Sequence, residues 1–210
     1  MGKIDCNLYS NQGVKARIQE FVRELNDIEI ENTSGKNNLL VGINGKGKNI
    51  RINDDVGYYC CSYCTDVNIN IYGNVGWYTA DTFSGNELNI FGYASTGLGI
   101  NLQKGTIRVN GNAGERIGCL MKNGNIIVNG NSGKYSGLFM MGGNIIIDGD
   151  CGDNVGESMF GGNIFISGDV GKLGSNCKIE SINDEDYKLL NSLLLNRNSL
   201  ESNWRKVSSI

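Results

Sequence analysis

The sequence predicts an all-β fold: a right-handed parallel β-helix, a single-stranded solenoid of about seven 19-residue rungs, with short helices at both ends. Three observations carry this. From Gly105 the chain reads GTIRVNGNAGERIGCLMKN, GNIIVNGNSGKYSGLFMMG, GNIIIDGDCGDNVGESMFG and GNIFISGDVGKLG, so a repeat starts at Gly105, Gly124, Gly143 and Gly162 with a constant step of 19. A short fixed period of this kind is the signature of a solenoid. Two aliphatic columns extend the period to the early rungs: Ile50, Ile69, Leu88, Ile107, Ile126, Ile145, Ile164, and Ile52, Ile71, Ile90, Val109, Val128, Ile147, Ile166. Finally, the 210 residues include 31 glycines and no proline. Proline would remove a donor from a strand ladder, so its absence suits a chain made mainly of paired strands.

Each part of the repeat has a local reason. Around Ile126 and Val128 the alternation has the period of a strand. Gly130, Gly133 and Gly137 then follow too closely for a helix of useful length, and glycine supplies turn conformations that cost other residues energy. One rung is therefore strand, corner, short extended piece and corner. Nineteen residues at about 3.3 Å each give roughly 63 Å of path, enough for one coil around a narrow core. Seven rungs at about 4.8 Å each make a body roughly 33 Å long with about three faces per turn.

Two further columns complete the expected interior. One is small: Val56, Val75, Ala94, Ala113, Ser132, Cys151 and Val170. The other is Cys64, Phe83, Leu102, Met121, Met140 and Met159. Corner glycines accompany them, with Gly73, Gly92, Gly111, Gly130, Gly149 and Gly168 in one column headed by Asp54. These are read as left-handed corners, a conformation that Asp also tolerates. A second glycine column contains Gly57, Gly76, Gly114, Gly133, Gly152 and Gly171, and a third contains Gly99, Gly118, Gly137 and Gly156, headed by Cys61 and Ala80. Asn49, Asn68, Asn125, Asn144 and Asn163 suggest an amide ladder.

In chain order, residues 1–46 hold a short strand, an amphipathic helix over Gly13–Asn26 and an irregular lead-in rung. Val14, Ile18, Phe21, Val22 and Leu25 share one helix face. Such a helix caps the solenoid, whose end would otherwise expose strand edges and core. Residues 47–177 are the rungs, and residues 178–210 a helix over Asn183–Asn196 followed by a tail with Trp204 and Val207. Asp184, Glu185 and Asp186 occupy the first helical turn, where negative charge is favoured. Between the two aliphatic columns lies an outward one: Arg51, Asn70, Asn89, Arg108, then Ile127, Ile146 and Phe165. Its apolar end must be covered, by the C-terminal helix or by a partner. Ile127, Ile146 and Phe165 are therefore candidate partner contacts.

Little points to chemistry. The net charge is −3 with no basic stripe, which argues against nucleic acid. No apolar run is long enough for a membrane span and Met1–Ser10 lacks a signal-peptide core, so a cytoplasmic protein is expected. There is no histidine, the commonest general base and metal ligand near neutral pH. Of the seven cysteines, Cys61 and Cys64 form one CxxC beside Cys60, with no second CxxC to complete a zinc or iron–sulfur site. Their columns place Cys61 and Cys64 in the interior. The carboxylates Asp148, Asp150, Asp153 and Asp169 fall at turns. The expectation is no catalytic residue, no bound cofactor and no metal. A freestanding carbohydrate-active β-helix would need paired carboxylates and aromatic platforms, and the outward columns suggest neither.

The repeated GNIIVNGNSGKYSGLFMMGG resembles the GXGXG domain, the C-terminal β-helix of glutamate synthase large subunits, and its standalone form in archaeal-type and N-methylglutamate synthases. The likeness includes Ile4-Asp5, the segment around Asn32 and Gly42, and the acidic helix followed by Trp204 and Val207. The third subunit of formylmethanofuran dehydrogenase shares the motif, and the helical tail favours the glutamate synthase side. Asp54, Asp66 and Ser95 depart from the glycine pattern at the early end. The resemblance implies a non-catalytic structural subunit that holds a glutaminase and an FMN-barrel synthase in relation, FMN and an iron–sulfur cluster residing in the partner. Residue 2 is Gly, not the nucleophilic cysteine of the glutaminase. The alternatives are the formylmethanofuran dehydrogenase subunit and a freestanding β-helix binding module.

Overall fold

The computed structural model describes residues 1–194 and 204–210. Its strands form one sheet that runs the length of a β-solenoid. The seven regular rungs contribute β3 (Asn44–Ile52), β4 (Thr65–Ile71), β5 (Glu87–Ile90), β6 (Thr106–Val109), β7 (Asn125–Val128), β8 (Asn144–Ile147) and β9 (Asn163–Ile166). All pair in parallel, and from Lys48 on each residue meets the one 19 positions later. A second face is stitched by single bridges along Val56, Val75, Ala94, Ala113, Ser132, Cys151 and Val170. The third face runs through left-handed residues at every second position, as at Tyr135 (φ 61°), Gly137 (φ 73°) and Phe139 (φ 54°).

The four interior columns are buried, apart from a partly buried Val170. A fifth, of mixed character, joins them: Cys60, Thr79, Leu98, Ile117, Ser136 and Val155. The amide ladder forms where amides are consecutive, with Asn144 Nδ2 donating to Asn125 Oδ1 (3.0 Å) and Asn163 Nδ2 to Asn144 Oδ1 (3.2 Å).

The corner glycines require a correction. Gly73, Gly92, Gly111, Gly130, Gly149 and Gly168 are absent from the left-handed region; glycine is needed there because the rungs approach too closely for a Cβ. A Cβ on Gly130 would lie 2.3 Å from Asn112 Oδ1, which accepts a hydrogen bond from Asn131 N at 2.9 Å. The same asparagine or aspartate bond to the next rung recurs from Asn131 to Asp150 N and from Asp150 to Asp169 N. Left-handed backbone belongs instead to the column of Gly99, Gly118, Gly137 and Gly156, and to the Cys61 (φ 60°) and Ala80 (φ 61°) that head it.

Both ends are closed. β1 (Gly2–Asp5) and β2 (Asp27–Glu31) extend the sheet in parallel before β3. The lead-in rung repeats the left-handed alternation at Asn38, Leu40 and Gly42 and bonds the first regular rung through Asn38 N to Tyr58 O and Gly42 N to Ser62 O. α1 (Asn11–Glu24), N-capped by Ser10, buries Val14, Ile18, Phe21 and Val22 against this end. At the other end the expected tail is a strand. β11 (Arg205–Ser209) pairs antiparallel with β9 and with β10 (Cys177–Ser181), and Val207 and Cys177 close the core. α2 spans Asp184–Leu193. The helix is shorter than the expected Asn183–Asn196: Leu194, its C-cap, has already left helical geometry (φ −90°, ψ 89°), and residues 195 and 196 lie outside the described residues.

Candidate interaction surfaces

The outward strand column divides the molecule. Arg51, Asn70, Asn89 and Arg108 keep contact with solvent, whereas Ile127, Ile146 and Phe165 are buried in a second core with Leu190, Leu194 and Trp204. α2 is held in place by local chemistry. Asn183 Oδ1 accepts from Asp186 N, and Asp186 Oδ2 accepts from Asn183 N, a reciprocal cap. Lys206 Nζ of β11 pairs with the same carboxylate at 2.8 Å. Arg108, last of the polar residues, donates to Leu193 O at 2.6 Å and ties the far end of α2 to the rungs. The three candidate partner contacts are thus covered by the chain's own helix. Phe165, at 0% exposure, offers nothing to another protein.

The early rungs carry stacked ring pairs on their outer faces, all exposed except a half-buried Tyr78: Tyr58 on Trp77 at 5.0 Å, Tyr59 on Tyr78 at 5.1 Å and Tyr72 on Phe91 at 4.3 Å. The Arg51 guanidinium lies 4.2 Å from the Tyr72 ring and extends that stack. Tyr58, Trp77 and Tyr93 border an open groove of about 280 Å³ with Gly57 and Gly76 along it. This corrects the expectation that the outward columns lack aromatic platforms. The signal was the 19-residue spacing of Tyr58 with Trp77 and of Tyr72 with Phe91. The rings lie against one another, so the stacks spend much of their face area on the neighbouring rung.

A second exposed surface lies on the late rungs, at the corner leading into the strands. Leu120 and Lys122 flank the buried Met121, Phe139 and Met141 flank Met140, and Ser158 and Phe160 flank Met159. Leu120, Phe139 and Ser158 sit at left-handed positions (φ 57°, 54° and 53°), and each methionine that follows points into the core. Leu120, Phe139, Met141 and Phe160 are all exposed, Phe160 to 70%. The sequence columns concealed this patch, because its early members are polar: Thr82 and Ser84, then Asn101 and Gln103.

The cysteines face inward. Cys60 and Cys61 sulfurs lie 3.4 Å apart, and Cys64 donates to Leu40 O at 2.9 Å. Burial pushes the Cys64 thiol up to about 12 and raises Cys61 well above the ordinary range. Such thiols are poor nucleophiles. Among the described residues no three His, Cys, Asp or Glu side chains are grouped to hold a metal ion, and no helix is long and apolar enough to cross a membrane.

Residues 99–201 match the model of the GXGXG motif family. That part of the chain is similar to a GXGXG domain. It is the domain type that the resemblance to glutamate synthase implied. The match opens at Gly99, yet the GXGXG register continues back through β5, β4 and β3 without a change of step. No curated protein and no solved structure matches the chain.

Proposed function

We propose that the chain is a non-catalytic structural subunit of a glutamate-synthase-like complex. It couples a glutaminase subunit to an FMN-dependent synthase subunit in the formation of glutamate or N-methylglutamate. The observation that carries this reading is a GXGXG-like domain whose interior is filled by its own side chains and whose exposed apolar groups lie on its outer faces. In this reading FMN and an iron–sulfur cluster belong to the synthase partner, and this chain works by position. The glutaminase releases ammonia, which the synthase adds to 2-oxoglutarate and reduces. Seven free, buried thiols suit the reducing cytoplasm.

The test is reconstitution. The purified chain is mixed with the FMN-barrel and glutaminase subunits, and glutamate formation is measured from glutamine and from free ammonia. The expected result is co-elution of all three, with the glutamine-driven reaction dependent on the chain and the ammonia-driven reaction much less so. Equal glutamine-driven rates without the chain would overturn the proposal. So would binding to the subunits of formylmethanofuran dehydrogenase instead.

A further inference from the structure

The late-rung corner patch has a composition that narrows its occupant. Four large apolar side chains, Leu120, Phe139, Met141 and Phe160, project from three consecutive rungs of a rigid ladder. Exposed apolar clusters with a polar border mark interaction sites. Aromatic residues and methionine are enriched at the centres of protein interfaces. One border here is basic. Lys122 heads the column of Met141 and Phe160, and Lys104 stands one rung earlier beside it; both are exposed and neither pairs with a described carboxylate. Arg116 lies over Tyr135 at 5.4 Å on the same face. Of the nearby acids, Glu115 is paired with Arg116 at 3.3 Å, whereas Glu157, beside Ser158, keeps its negative charge while accepting from Ser175 N and Ser158 Oγ. A chain of net charge −3 thus presents a positive edge, Lys104 and Lys122, along one side of an apolar centre.

We infer that this patch docks a folded protein subunit whose own apolar surface is bordered by carboxylates. Resting on the function proposed above, that subunit is the FMN-barrel synthase. Charge decides against a second copy of this chain, because a two-fold contact would set the lysine edge against its own mate. Charge also disfavours an anionic membrane as occupant, since two unpaired lysines give little electrostatic attraction compared with the clusters that hold proteins on lipid. The site is distinct from the covered strand column. It leaves α2 in place, so docking requires no rearrangement of the C-terminal cover.

The experiment measures binding of the full chain to the purified FMN-barrel synthase subunit by calorimetry, for the native sequence, Phe160→Asp, Met141→Asp and Lys122→Glu. Phe160 and Met141 are exposed, so each variant should melt as the native chain does, and melting is recorded alongside. Losing an aromatic anchor is expected to weaken binding about thirtyfold. Lys122→Glu should weaken binding at low salt and reduce its dependence on salt. Native binding with both aspartate variants equally tight would overturn the patch while leaving the proposed function standing. No native binding would overturn the proposed function, and this inference with it. Self-association by sedimentation, or flotation with phosphatidylserine vesicles, that disappears in Phe160→Asp would replace the synthase by that occupant.

Discussion

The early and late rungs share one backbone and one register but manage their outward strand column in opposite ways. Early rungs carry Arg51, Asn70 and Asn89 there, and their stability on that face comes from side-chain ladders such as Asn89 Nδ2 to Asn70 Oδ1 at 3.0 Å. Late rungs carry Ile127, Ile146 and Phe165 there and need α2 and Trp204 as cover. The difference teaches that a solenoid's strand geometry is indifferent to its outward residue. What the outward residue decides is whether another element must be built.

The largest effect should come from removing that cover or its anchor. Phe165→Ala empties a buried aromatic site and should cost about 3–5 kcal/mol in urea unfolding. Arg51→Ala, the matching position at the early end, removes a cation–π contact and an exposed hydrogen bond to Asn53 Oδ1, and should cost about 1 kcal/mol or less. Similar costs at both positions would mean that α2 is not a true cover.

Alkali should separate the two regions next. The column of Met121, Met140 and Met159 begins with Cys64, whose thiol titrates near 12 when folded and near 9 when unfolded. The folded chain holds that proton after the unfolded chain has lost it. The stability from the neutral thiol is therefore full below about pH 9 and drains as the pH climbs toward 12, at about 1.4 kcal/mol per unit. Cys64→Ala should flatten this slope between pH 9 and 11. An unchanged slope would remove Cys64 as its source.

Gly130→Ala should cost about 1–3 kcal/mol, by forcing Asn112 off Asn131 N. Asn112→Gly in the same chain should recover part of the loss. If the double variant is no better than the single one, the clash lies elsewhere.

The smallest effect concerns the left-handed column. Ala80→Gly relieves a positive φ of 61° and should be neutral to stabilising by about 1 kcal/mol, since the gain in the fold is offset by a freer unfolded chain. Gly137→Ala, at φ 73° and with Ile164 Cδ1 2.5 Å from the new Cβ, should go the other way. A destabilised Ala80→Gly protein would show that the early rungs bear no strain there.

Legibility followed residue uniformity. The aliphatic columns were readable because the interior demands the same kind of side chain at every rung. The column from Cys60 through Ser136 to Val155 was missed because small, polar and apolar residues all fit its space. The reason for the corner glycines was misread because glycine serves two needs, left-handed backbone and close approach, which look identical in one letter. Tyr59, Tyr63 and Phe139 adopt positive φ without a glycine to announce it. β11 was too short and too polar to stand out, and it is held by pairing on both sides, with β9 and with β10. The covered column was legible as a need for cover, though not as to which element supplied it. The corner patch was hidden because its columns change character partway along.

A constant 19-residue register has a consequence for how such a molecule changes over generations. Its rungs are interchangeable units between two fixed ends, α1 at one and β10–β11 at the other. Duplicating or losing one whole repeat among the early rungs, away from the cover of α2, leaves both ends and the ladder pattern intact, and alters the distance between them by one strand spacing, about 4.8 Å. An insertion of any other length must loop out of its rung, as α1 does between β1 and β2, and leaves the strand spacing unchanged. The spacing between whatever binds at the two ends is therefore tunable in steps, like the teeth of a ratchet, and is protected against gradual drift.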